Sequence, residues 1–319
     1  MPILCNYYIT LRCNSKCDFC NIWSNEKYRD LKEQSLEEIK QNLLALKKLG
    51  VKFIDFTGGE PLLSENLIEA LKFAKKLNFI TTVTTNTILY PHFAEKLKGL
   101  VDSLVFSFDS PYRQAHDRVR GVKCYDSFIQ SLETAKKIQQ KITLLHTITN
   151  ENVHELDEII KFAQNRRTPI KLNPCFSYFD NSGLHVKYID ILKNAQKEPY
   201  VCADLAHLEF IKDGGNKTSR PLCKAISSCV VISPDNCLML PCYHKCSHKL
   251  KIDNNLCELY FSAQTREMKK NEGKWKFCEN CAIYCYMRSS FYRSFPSRYF
   301  FLYFKSQIKL IREWIRPQF

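Results

Sequence analysis

The sequence has 319 residues, of which 45% are apolar and 25% charged, and its formal net charge is +14. This length fits one large domain, or a large domain with a smaller one, and the composition is ordinary for a globular protein. No run of eighteen apolar residues is present, which argues against a membrane-spanning helix, and no secretory signal precedes the first apolar segment. We therefore expect a cytoplasmic protein, in which the sixteen cysteines bind metal more readily than they form disulfides.

Short β-branched runs alternate with helical patterns over about the first two hundred residues. The patterns predict strands at 3–11, 51–56, 79–85, 104–108, 142–148 and 170–173. They predict helices at 36–49, 65–77, 91–97, 127–139, 153–164 and 188–195. The first helix begins at a capping box formed by Ser35 and Glu38. Strands separated by helices indicate parallel βαβ units, and six units fall short of the eight that close a full barrel. The predicted fold class is therefore α/β, a partial and partly open (β/α)6 barrel of the TIM type.

The alternation breaks after residue 198, and ten of the sixteen cysteines lie between 199 and 286. Gly214, Gly215 and Pro221 mark a linker within this region. We predict three parts, namely a barrel over residues 1–198, a cysteine-rich domain over 199–287 and a basic aromatic helix over 288–319.

Cys13, Cys17 and Cys20 follow the first strand as Cys-x3-Cys-x2-Cys. In parallel α/β folds ligands collect at the carboxyl ends of the strands, where this loop lies. Three thiolates suit a cubane iron–sulfur cluster, whereas a cluster held by protein alone takes four. The missing fourth ligand leaves one iron open to another molecule. Taken alone, the motif fits a zinc site completed by a fourth cysteine equally well.

Polar residues also end the next three predicted strands. These ends are Thr57-Gly58-Gly59-Glu60-Pro61, Thr84-Thr85-Asn86 and Ser107-Phe108-Asp109-Ser110. Glycines let a ligand approach the backbone closely, and exposed N–H and C=O groups there can hold an amino-acid head group. A Gly-Gly pair is also common in ordinary turns, but four consecutive strands with polar groups on one rim indicate a binding site.

These motifs resemble those of radical S-adenosylmethionine (SAM) enzymes, whose signature is Cys-x3-Cys-x-aromatic-Cys, here Cys13, Cys17, Phe19 and Cys20. The resemblance covers roughly residues 1–180. It implies a [4Fe–4S] cluster on the three cysteines, with its fourth iron chelated by the amino and carboxylate groups of SAM. It also implies an electron donor such as flavodoxin or ferredoxin. The reduced cluster would cleave SAM, and a 5′-deoxyadenosyl radical would form.

The same resemblance implies contacts to the adenine and the methionyl group of SAM. Phe19 corresponds to a residue near the adenine. Gly58, Gly59 and Glu60 correspond to the segment that holds the methionyl amino group.

Further contacts are implied on the third and fourth strand ends. Ser107 and Asp109 resemble the ribose and carboxylate contacts of the family. The stretch His-Asp-Arg-Val-Arg-Gly at 116–121 resembles the His-Asp-x-x-Arg-Gly stretch of one large branch, in which the second arginine meets the carboxylate, here Arg120. Asn86 is the weaker match, because Thr87 replaces the glycine that usually follows it.

A second cysteine group follows the barrel. Cys223 and Cys242 flank a predicted hairpin with strands at 225–233 and 238–240, and Cys278 and Cys281 form a later Cys-x2-Cys pair. Four thiolates without an open position suit a structural zinc or a fully ligated iron–sulfur cluster. The arrangement resembles the auxiliary-cluster extensions of radical SAM enzymes, called SPASM or, in the shorter form, twitch. The match to the short form implies one auxiliary [4Fe–4S] cluster on these four cysteines.

Other cysteines leave alternatives open. Cys229 and Cys285 are alternate ligands for the auxiliary cluster, while Cys237, Cys246 and Cys257 leave room for a second one. The long SPASM form usually carries Cys-x2-Cys-x5-Cys-x3-Cys, and only Cys-x2-Cys-x3-Cys is present here. This difference favours one auxiliary cluster over two.

The last thirty-two residues carry seven basic residues against one acid, a net charge of +6. Apolar residues recur there at helical spacing, namely Phe301, Phe304, Ile308, Ile311 and Ile315. Basic residues recur on another face, namely Lys305, Lys309, Arg312 and Arg316. A basic amphipathic helix with aromatic residues fits an anionic membrane surface, which would make the protein membrane-peripheral. The apolar stripe could instead dock on the barrel. Spaced cations could also meet phosphates, but no RNA-binding motif accompanies them, so a nucleic-acid partner is not expected.

The sequence thus predicts a radical SAM enzyme of oxidoreductase-like or carbon–carbon-modifying type, acting on a peptide, a sugar-type alcohol or a lipid-linked precursor. Because only ten residues precede the end of the first strand, we expect no fused leader-peptide recognition domain. An RNA-modifying radical enzyme is the alternative within catalysis. A non-catalytic zinc or iron–sulfur scaffold is the alternative outside it, and it would explain the cysteines but not the other motifs on the rim.

Overall fold

A computed structural model describes residues 1–25, 31–177 and 182–319. Its centre is one ten-stranded sheet of order β10-β9-β8-β1-β2-β3-β4-β5-β6-β7. The seven strands of the barrel are β1 (Leu4–Thr10), β2 (Phe53–Gly58), β3 (Ile80–Thr85), β4 (Ser103–Ser107), β5 (Thr143–Ile148), β6 (Ile170–Pro174) and β7 (Val201–Ala203). Each pairs in parallel with the next, and the sheet is open between β7 and β10 within the described residues.

The cysteine-rich segment extends this sheet. Its strands are β8 (Cys229–Ser233), β9 (Cys237–Leu240) and β10 (His248–Lys251). β8 lies parallel to β1, with Cys5 opposite Val230, and β9 and β10 follow in antiparallel order. The hairpin therefore continues the barrel wall on the side where the chain begins.

Helices connect the strands and cover the outside of the sheet. The first seven are α1 (Leu36–Lys48), α2 (Leu67–Lys76), α3 (Tyr90–Leu97), α4 (Arg113–Arg120), α5 (Tyr125–Lys137), α6 (Leu156–Asn165) and α7 (Ile189–Ala195). The remaining six are α8 (Leu205–Lys212), α9 (Ala225–Ser228), α10 (Leu256–Phe261), α11 (Ala263–Lys270), α12 (Tyr284–Tyr292) and α13 (Arg298–Ile315). The α1 helix begins at the predicted capping box of Ser35 and Glu38.

Side-chain alternation on β2 shows how the sequence separates the two faces of the sheet. Ile54 and Phe56 are fully buried in the main core, among the apolar side chains of the covering helices. Burial of each stabilises the fold by roughly 1.5–3 kcal/mol. Asp55 and Thr57 alternate with them and therefore face the other side of the sheet, the interior of the barrel. Polar groups are thus placed inside the barrel by the two-residue period of the strand.

The predicted fold class is confirmed, and the structure adds to it in three places. β7 follows the sixth predicted unit, and the His-Asp-x-x-Arg stretch forms the helix α4. Residues 225–228, predicted as strand, form the helix α9, because the buried carboxylate of Glu272 accepts the N–H groups of Ile226 and Ser227 at 3.1 and 2.9 Å. The domain boundaries at 198 and 287 stay predictions.

The C-terminal helix α13 packs on α8 and β7 through the face opposite its predicted apolar stripe. Ser306 Oγ accepts the N–H of Leu205 at 2.9 Å, and Glu313, only 1% exposed, accepts the N–H of Tyr200 at 2.9 Å. The predicted apolar stripe lies on the outside and is exposed at all five positions. The alternative that this stripe docks on the barrel is therefore wrong, since the helix docks through the opposite face, by these hydrogen bonds and by apolar contacts that include Tyr303. No described helix combines the length and apolarity needed to cross a membrane.

Replacing Glu313 by alanine should destabilise the protein. The change leaves the Tyr200 N–H without its acceptor and removes the counter-ion of Lys309 and Arg316, which lie 3.1 and 3.0 Å from the carboxylate. We expect the free energy of unfolding to fall by about 2 kcal/mol, measured by urea unfolding under reducing conditions. The control is Glu267→Ala, which removes an exposed ion pair with Lys270 and should change the midpoint little. Equal midpoints for the two variants would contradict docking through Glu313.

Candidate active site

The loop after β1 carries the first three cysteines and is attached to the end of α4. The N–H groups of Lys16 and Asp18 donate to the carbonyls of Arg120 and Val119 at 2.8 and 3.1 Å. Gly121 ends α4 with φ +64°, and a Cβ there would lie 2.4 Å from the Lys16 carbonyl oxygen. The glycine that ends the predicted motif is therefore needed for the loop to approach the helix.

Cys13, Cys17 and Cys20 lie together in this loop, with the Cys20 N–H donating to the Cys17 carbonyl at 3.1 Å. Burial raises the pKa of the Cys13 thiol to about 12 and also raises the pKa values of Cys17 and Cys20. The neighbouring cysteines raise the pKa of Cys13 further, which is a sign of their proximity. Such thiols are protonated in the free chain, and a metal must displace their protons to bind.

Both glycines at the end of β2 are required by contact with the cysteine loop. A Cβ on Gly58 would lie 1.7 Å from the carbonyl oxygen of Thr10, and one on Gly59 would lie 2.1 Å from that of Arg12. The N–H groups of Gly59 and Glu60 donate to these carbonyls of Thr10 and Arg12 at 3.0 and 2.8 Å. The second strand end is therefore fixed against the first.

Glu60 joins the second strand end to the third. Its buried carboxylate accepts the N–H of Leu62 at 3.1 Å, the hydroxyl of Thr85 at 2.8 Å and the N–H of Asn86 at 2.7 Å. Burial raises the pKa of Glu60 to about 7, although these hydrogen bonds act in the opposite direction. Glu60 therefore belongs to the frame of the rim, and the prediction that it contacts SAM stays a prediction.

Asn86 connects the third strand end to the cysteine loop. Its amide nitrogen donates to Asn14 Oδ1 at 2.7 Å and to Ser15 Oγ at 2.9 Å. The next residue, Thr87, has φ +73°, a conformation that β-branched residues rarely adopt. Its N–H donates to Thr85 Oγ1 at 3.1 Å. Thr87 therefore adopts the left-handed backbone conformation that the usual glycine at this position would favour.

A buried ion pair closes the rim at β4. Arg120 Nε donates to Asp109 Oδ2, and the two side chains are 8% and 0% exposed. Burial alone would lower the pKa of Arg120, but the negative charge of Asp109 raises that pKa above its ordinary range. Arg120 Nη1 also donates to the Cys17 sulfur at 3.5 Å, and its guanidinium lies 6.0 Å from the centre of the Phe19 ring. This pair links the fourth strand end to the cysteine loop, and Ser107, the last residue of β4, is also buried.

Two buried histidines contact the backbone at this strand end. The N–H of Asp109 donates to His116 Nδ1 at 3.3 Å, and His146 Nδ1 lies 3.1 Å from the Phe108 carbonyl oxygen. Burial lowers the pKa of His116 to about 4 and also lowers the pKa of His146. Both rings are therefore neutral at pH 7. His146 was not predicted from sequence, where its one signal is a histidine within an apolar strand.

A cavity of ≈ 440 Å³ lies beside Phe19 and Asp109. Its wall continues along the ends of β5 and β6, and it includes Ser110, Thr149, Asn152, Glu155 and Cys175. Asp109 Oδ1 is buried and has no hydrogen-bond partner among the described residues. An unpartnered buried carboxylate oxygen requires a donor, which a ribose hydroxyl or an ammonium group would supply. Three thiols, an anion-binding arginine and this oxygen together fit a cluster ligated by SAM.

The four cysteines predicted for the auxiliary cluster lie together. Burial raises the pKa of each thiol, to about 12 for Cys242 and about 11 for Cys278, and the proximity of the other cysteines raises the pKa of Cys223 further. Cys281 donates its N–H to the Cys278 carbonyl at 3.2 Å. Asn216 joins two of them, since its side chain donates to the Cys278 carbonyl and accepts the Cys223 N–H, both at 3.1 Å. Sequence reasoning missed Asn216, which carries no motif.

The other cysteines of this segment lie around that group. Cys246 is a neighbour of Cys242, while Cys229 and Cys285 are neighbours of each other on the barrel side. Cys257 lies on α10, where its thiol donates to the Ala45 carbonyl at 3.5 Å. Within residues 1–25, 31–177 and 182–319, no three cysteine, histidine or acidic side chains have the spacing of a site for a single metal ion.

An aromatic pair lies between the two cysteine groups. Tyr8 on β1 stacks on Tyr243, the residue after Cys242, with ring centres 4.1 Å apart and planes 14° from parallel. The hydroxyl of Tyr286 accepts the N–H of Tyr243 at 2.9 Å. The two groups are thus joined by one packed cluster, which includes Cys20 and Cys242.

Comparison with known proteins gives a family and a fold. Residues 7–163 match the family model of the radical SAM superfamily. The Fe-coproporphyrin III synthase of Methanosarcina barkeri is 28% identical over 184 residues, which are 57% of this chain and 45% of that protein. The PqqA peptide cyclase of Bradyrhizobium diazoefficiens is 30% identical over 172 residues, which are 51% of this chain and 43% of that protein. The chain thus spans a little under half the length of these relatives.

The solved structure of native anSMEcpe with bound AdoMet, which is SAM, has the same fold. Its TM-score is 0.66 at 20% identity, and the match covers 98% of this chain and 97% of that chain. The likeness therefore includes the C-terminal extension as well as the barrel. The cysteine motif and the family model agree that residues 7–163 form a radical SAM domain, and members of that superfamily bind a [4Fe–4S] cluster and SAM.

Proposed function

We propose that the chain cleaves SAM reductively at a [4Fe–4S] cluster on Cys13, Cys17 and Cys20, and that the radical removes hydrogen from the substrate. The observation that carries this proposal is the unpartnered oxygen of Asp109 beside the cavity. It lies next to a buried arginine that contacts the cysteine loop. No role in a zinc site or a scaffold would require that arrangement.

When bound and reduced, the cluster supplies one electron to the sulfonium of SAM, which separates into methionine and a 5′-deoxyadenosyl radical. The protein positions SAM around that event. Arg120, held by Asp109, would pair with the methionyl carboxylate, which is a good acceptor for a guanidinium. Gly58 and Gly59 are proposed to hold the methionyl ammonium group; the absence of a Cβ on each lets this strand end lie directly against the cysteine loop.

The adenosine half of SAM would occupy the cavity. Phe19 and Asp109 line the cavity, where they would offer an aromatic face to the adenine and an oxygen to the ribose hydroxyls. Ser107, two residues before Asp109, is proposed as the second ribose contact. Asn86 would act on SAM indirectly, since its side chain donates hydrogen bonds to Asn14 and Ser15 and so fixes the cysteine loop. Burial of the rim excludes water from the reacting bond.

The C-terminal segment is proposed to hold one auxiliary [4Fe–4S] cluster on Cys223, Cys242, Cys278 and Cys281. Their proximity supports this assignment, and so does the bridging by Asn216. Four cysteine ligands fill all the positions of a cubane, so this cluster would bind no SAM. The Tyr8–Tyr243 stack lies between this cluster site and the first three cysteines, which suits a role of the auxiliary cluster beside the substrate or in electron transfer.

For the substrate we propose a peptide ahead of a sugar-type or lipid-linked molecule. The support is similarity, since one relative is named a PqqA peptide cyclase and anSMEcpe has been solved with a bound peptide. A flavodoxin or ferredoxin is the proposed electron donor. We also propose a cytoplasmic site of action in peripheral contact with an anionic membrane, supported by the exposed stripe on α13.

The triple variant in which Cys13, Cys17 and Cys20 are alanine should release no 5′-deoxyadenosine. The wild-type chain, reconstituted anaerobically with iron and sulfide and reduced with dithionite, should release it, because the three thiolates hold the reducing cluster. Liquid chromatography of the reaction measures the product. The control is Cys257→Ala, a thiol on α10 away from both groups, which should behave as wild type. Normal release by the triple variant would overturn the proposed function.

Asp109→Asn should weaken SAM binding to the reconstituted protein at least tenfold. The neutral amide no longer fixes the Arg120 guanidinium, and a tenfold loss corresponds to about 1.4 kcal/mol, within the range of one charged hydrogen bond. Equilibrium dialysis with labelled SAM measures the dissociation constant. The matched control is Asp126→Asn on α5, whose carboxylate pairs with Arg113 at the surface. If both variants bind SAM as tightly as wild type, Asp109 does not orient Arg120.

The chain without its first three cysteines should still hold about four irons after reconstitution. Adding Cys278→Ala and Cys281→Ala should remove them, whereas adding Cys237→Ala should not, because Cys237 lies beside Asp235 in the hairpin. Iron and zinc analysis of the purified protein measures the content. Stoichiometric zinc in place of iron would make the site structural, and about eight irons would show a second auxiliary cluster.

A further inference from the structure

The chain has an apolar surface that the proposed chemistry does not use. It consists of the five stripe residues of α13, which are between 37% and 66% exposed, and we call it the α13 stripe. Its members are Phe301, Phe304, Ile308, Ile311 and Ile315. Phe295, 69% exposed, extends it from the turn before the helix and contacts the ring of Phe301. Globular monomers seldom leave so many large apolar side chains together in water, so the stripe indicates a binding surface.

A row of cations borders the stripe on one side. At 3.6 residues per turn, Arg312 and Lys305 lie next to the stripe, and Arg316 and Lys309 follow them towards the docked face. Lys305 and Arg312 are exposed, and the described residues give neither of them a carboxylate partner. Glu313, the one acid of the last thirty-two residues, is buried on the opposite face. The exposed half of the helix is therefore apolar and positive.

The docked face keeps the stripe turned outward. Besides the hydrogen bonds of Ser306 and Glu313, the Trp314 carbonyl accepts Lys141 Nζ at 3.2 Å, and Gln318 Oε1 accepts the Ile142 N–H at 3.0 Å. Rotating the helix to bury the stripe would break these bonds and bury the cations. The outward orientation of the stripe is therefore part of the fold.

We propose that the α13 stripe and its basic border form a membrane-binding face that lies flat on an anionic bilayer. The proposal rests on the peripheral contact proposed above and is independent of the radical chemistry. Charge decides between occupants. A protein partner with a complementary apolar patch would not need unpaired cations along the edge, whereas lipid phosphates would pair with Lys305 and Arg312. The stripe would enter the boundary of the acyl chains while the lysine and arginine stems reach the headgroups.

Sedimentation with liposomes tests the proposal on the reconstituted full chain. The probes are vesicles of phosphatidylcholine alone and of phosphatidylcholine mixed with phosphatidylglycerol. We expect binding to the mixed vesicles at low salt and weaker binding at high salt, because exposed charges are screened. Binding to phosphatidylcholine alone should be weaker at either salt concentration. Failure of the wild-type chain to bind mixed vesicles at low salt would overturn the proposal.

Variants separate the contribution of the apolar side chains from that of the cations. Ile308→Ser with Ile311→Ser should abolish sedimentation, and Lys305→Gln with Arg312→Gln should weaken it about 25-fold, since each cation contributes about fivefold, or about 1 kcal/mol. The matched controls replace exposed residues elsewhere, namely Ile80→Ser with Ile191→Ser, and Lys136→Gln with Lys137→Gln. The controls should bind as wild type. All these side chains are exposed, so circular dichroism should show an unchanged fold.

Two further readouts keep the outcomes distinct. If analytical ultracentrifugation shows a dimer that Ile308→Ser with Ile311→Ser dissociates, and liposomes are not bound, the stripe joins copies of this chain and the proposal is wrong. Release of 5′-deoxyadenosine in the absence of vesicles is measured on the same variants and should equal that of wild type. Lost liposome binding with normal release would leave the proposed function intact.

Discussion

The buried ion pair between Asp109 and Arg120 is the interaction on which the rest of the site depends. It joins the end of β4 to the last turn of α4, and through Arg120 it reaches both the backbone and a sulfur of the cysteine loop. Burying two charges costs several kcal/mol each, and their attraction offsets this only when the geometry is good. The pair is therefore weak evidence for stability. Its better-supported role is to fix the Arg120 guanidinium, which contacts the Cys17 sulfur and is proposed to bind the carboxylate of SAM.

Close backbone contact completes the frame that this pair begins. Gly58 and Gly59 place the second strand end against the loop after β1, and Glu60 and Asn86 tie the third strand end to both. Three thiols, a guanidinium and a cavity are thereby held on one rigid edge of the sheet. Chemistry that depends on exclusion of water and on fixed distances favours such an edge over a mobile loop.

Local patterns were enough to predict the barrel, the cysteine motifs and the rim, because each depends on residues close in sequence. Pairings between distant residues were not predictable. β8 lies beside β1 although about 225 residues separate them, and Asn216 gathers cysteines from two segments. The α13 periodicity identified an apolar face but not its orientation. That depends on the backbone N–H groups of Tyr200 and Leu205, which no helical pattern locates.

The central claim is that Cys13, Cys17 and Cys20 hold a cluster with one iron left open for SAM. The most direct test is electron paramagnetic resonance of the reduced protein, in a variant that lacks Cys223, Cys242, Cys278 and Cys281, so that only this cluster contributes. SAM binding at the open iron should change the spectrum of the cluster, and the change should be complete at one SAM per chain. A spectrum that stays the same at saturating SAM, or a reconstituted variant that contains no iron, would contradict the account.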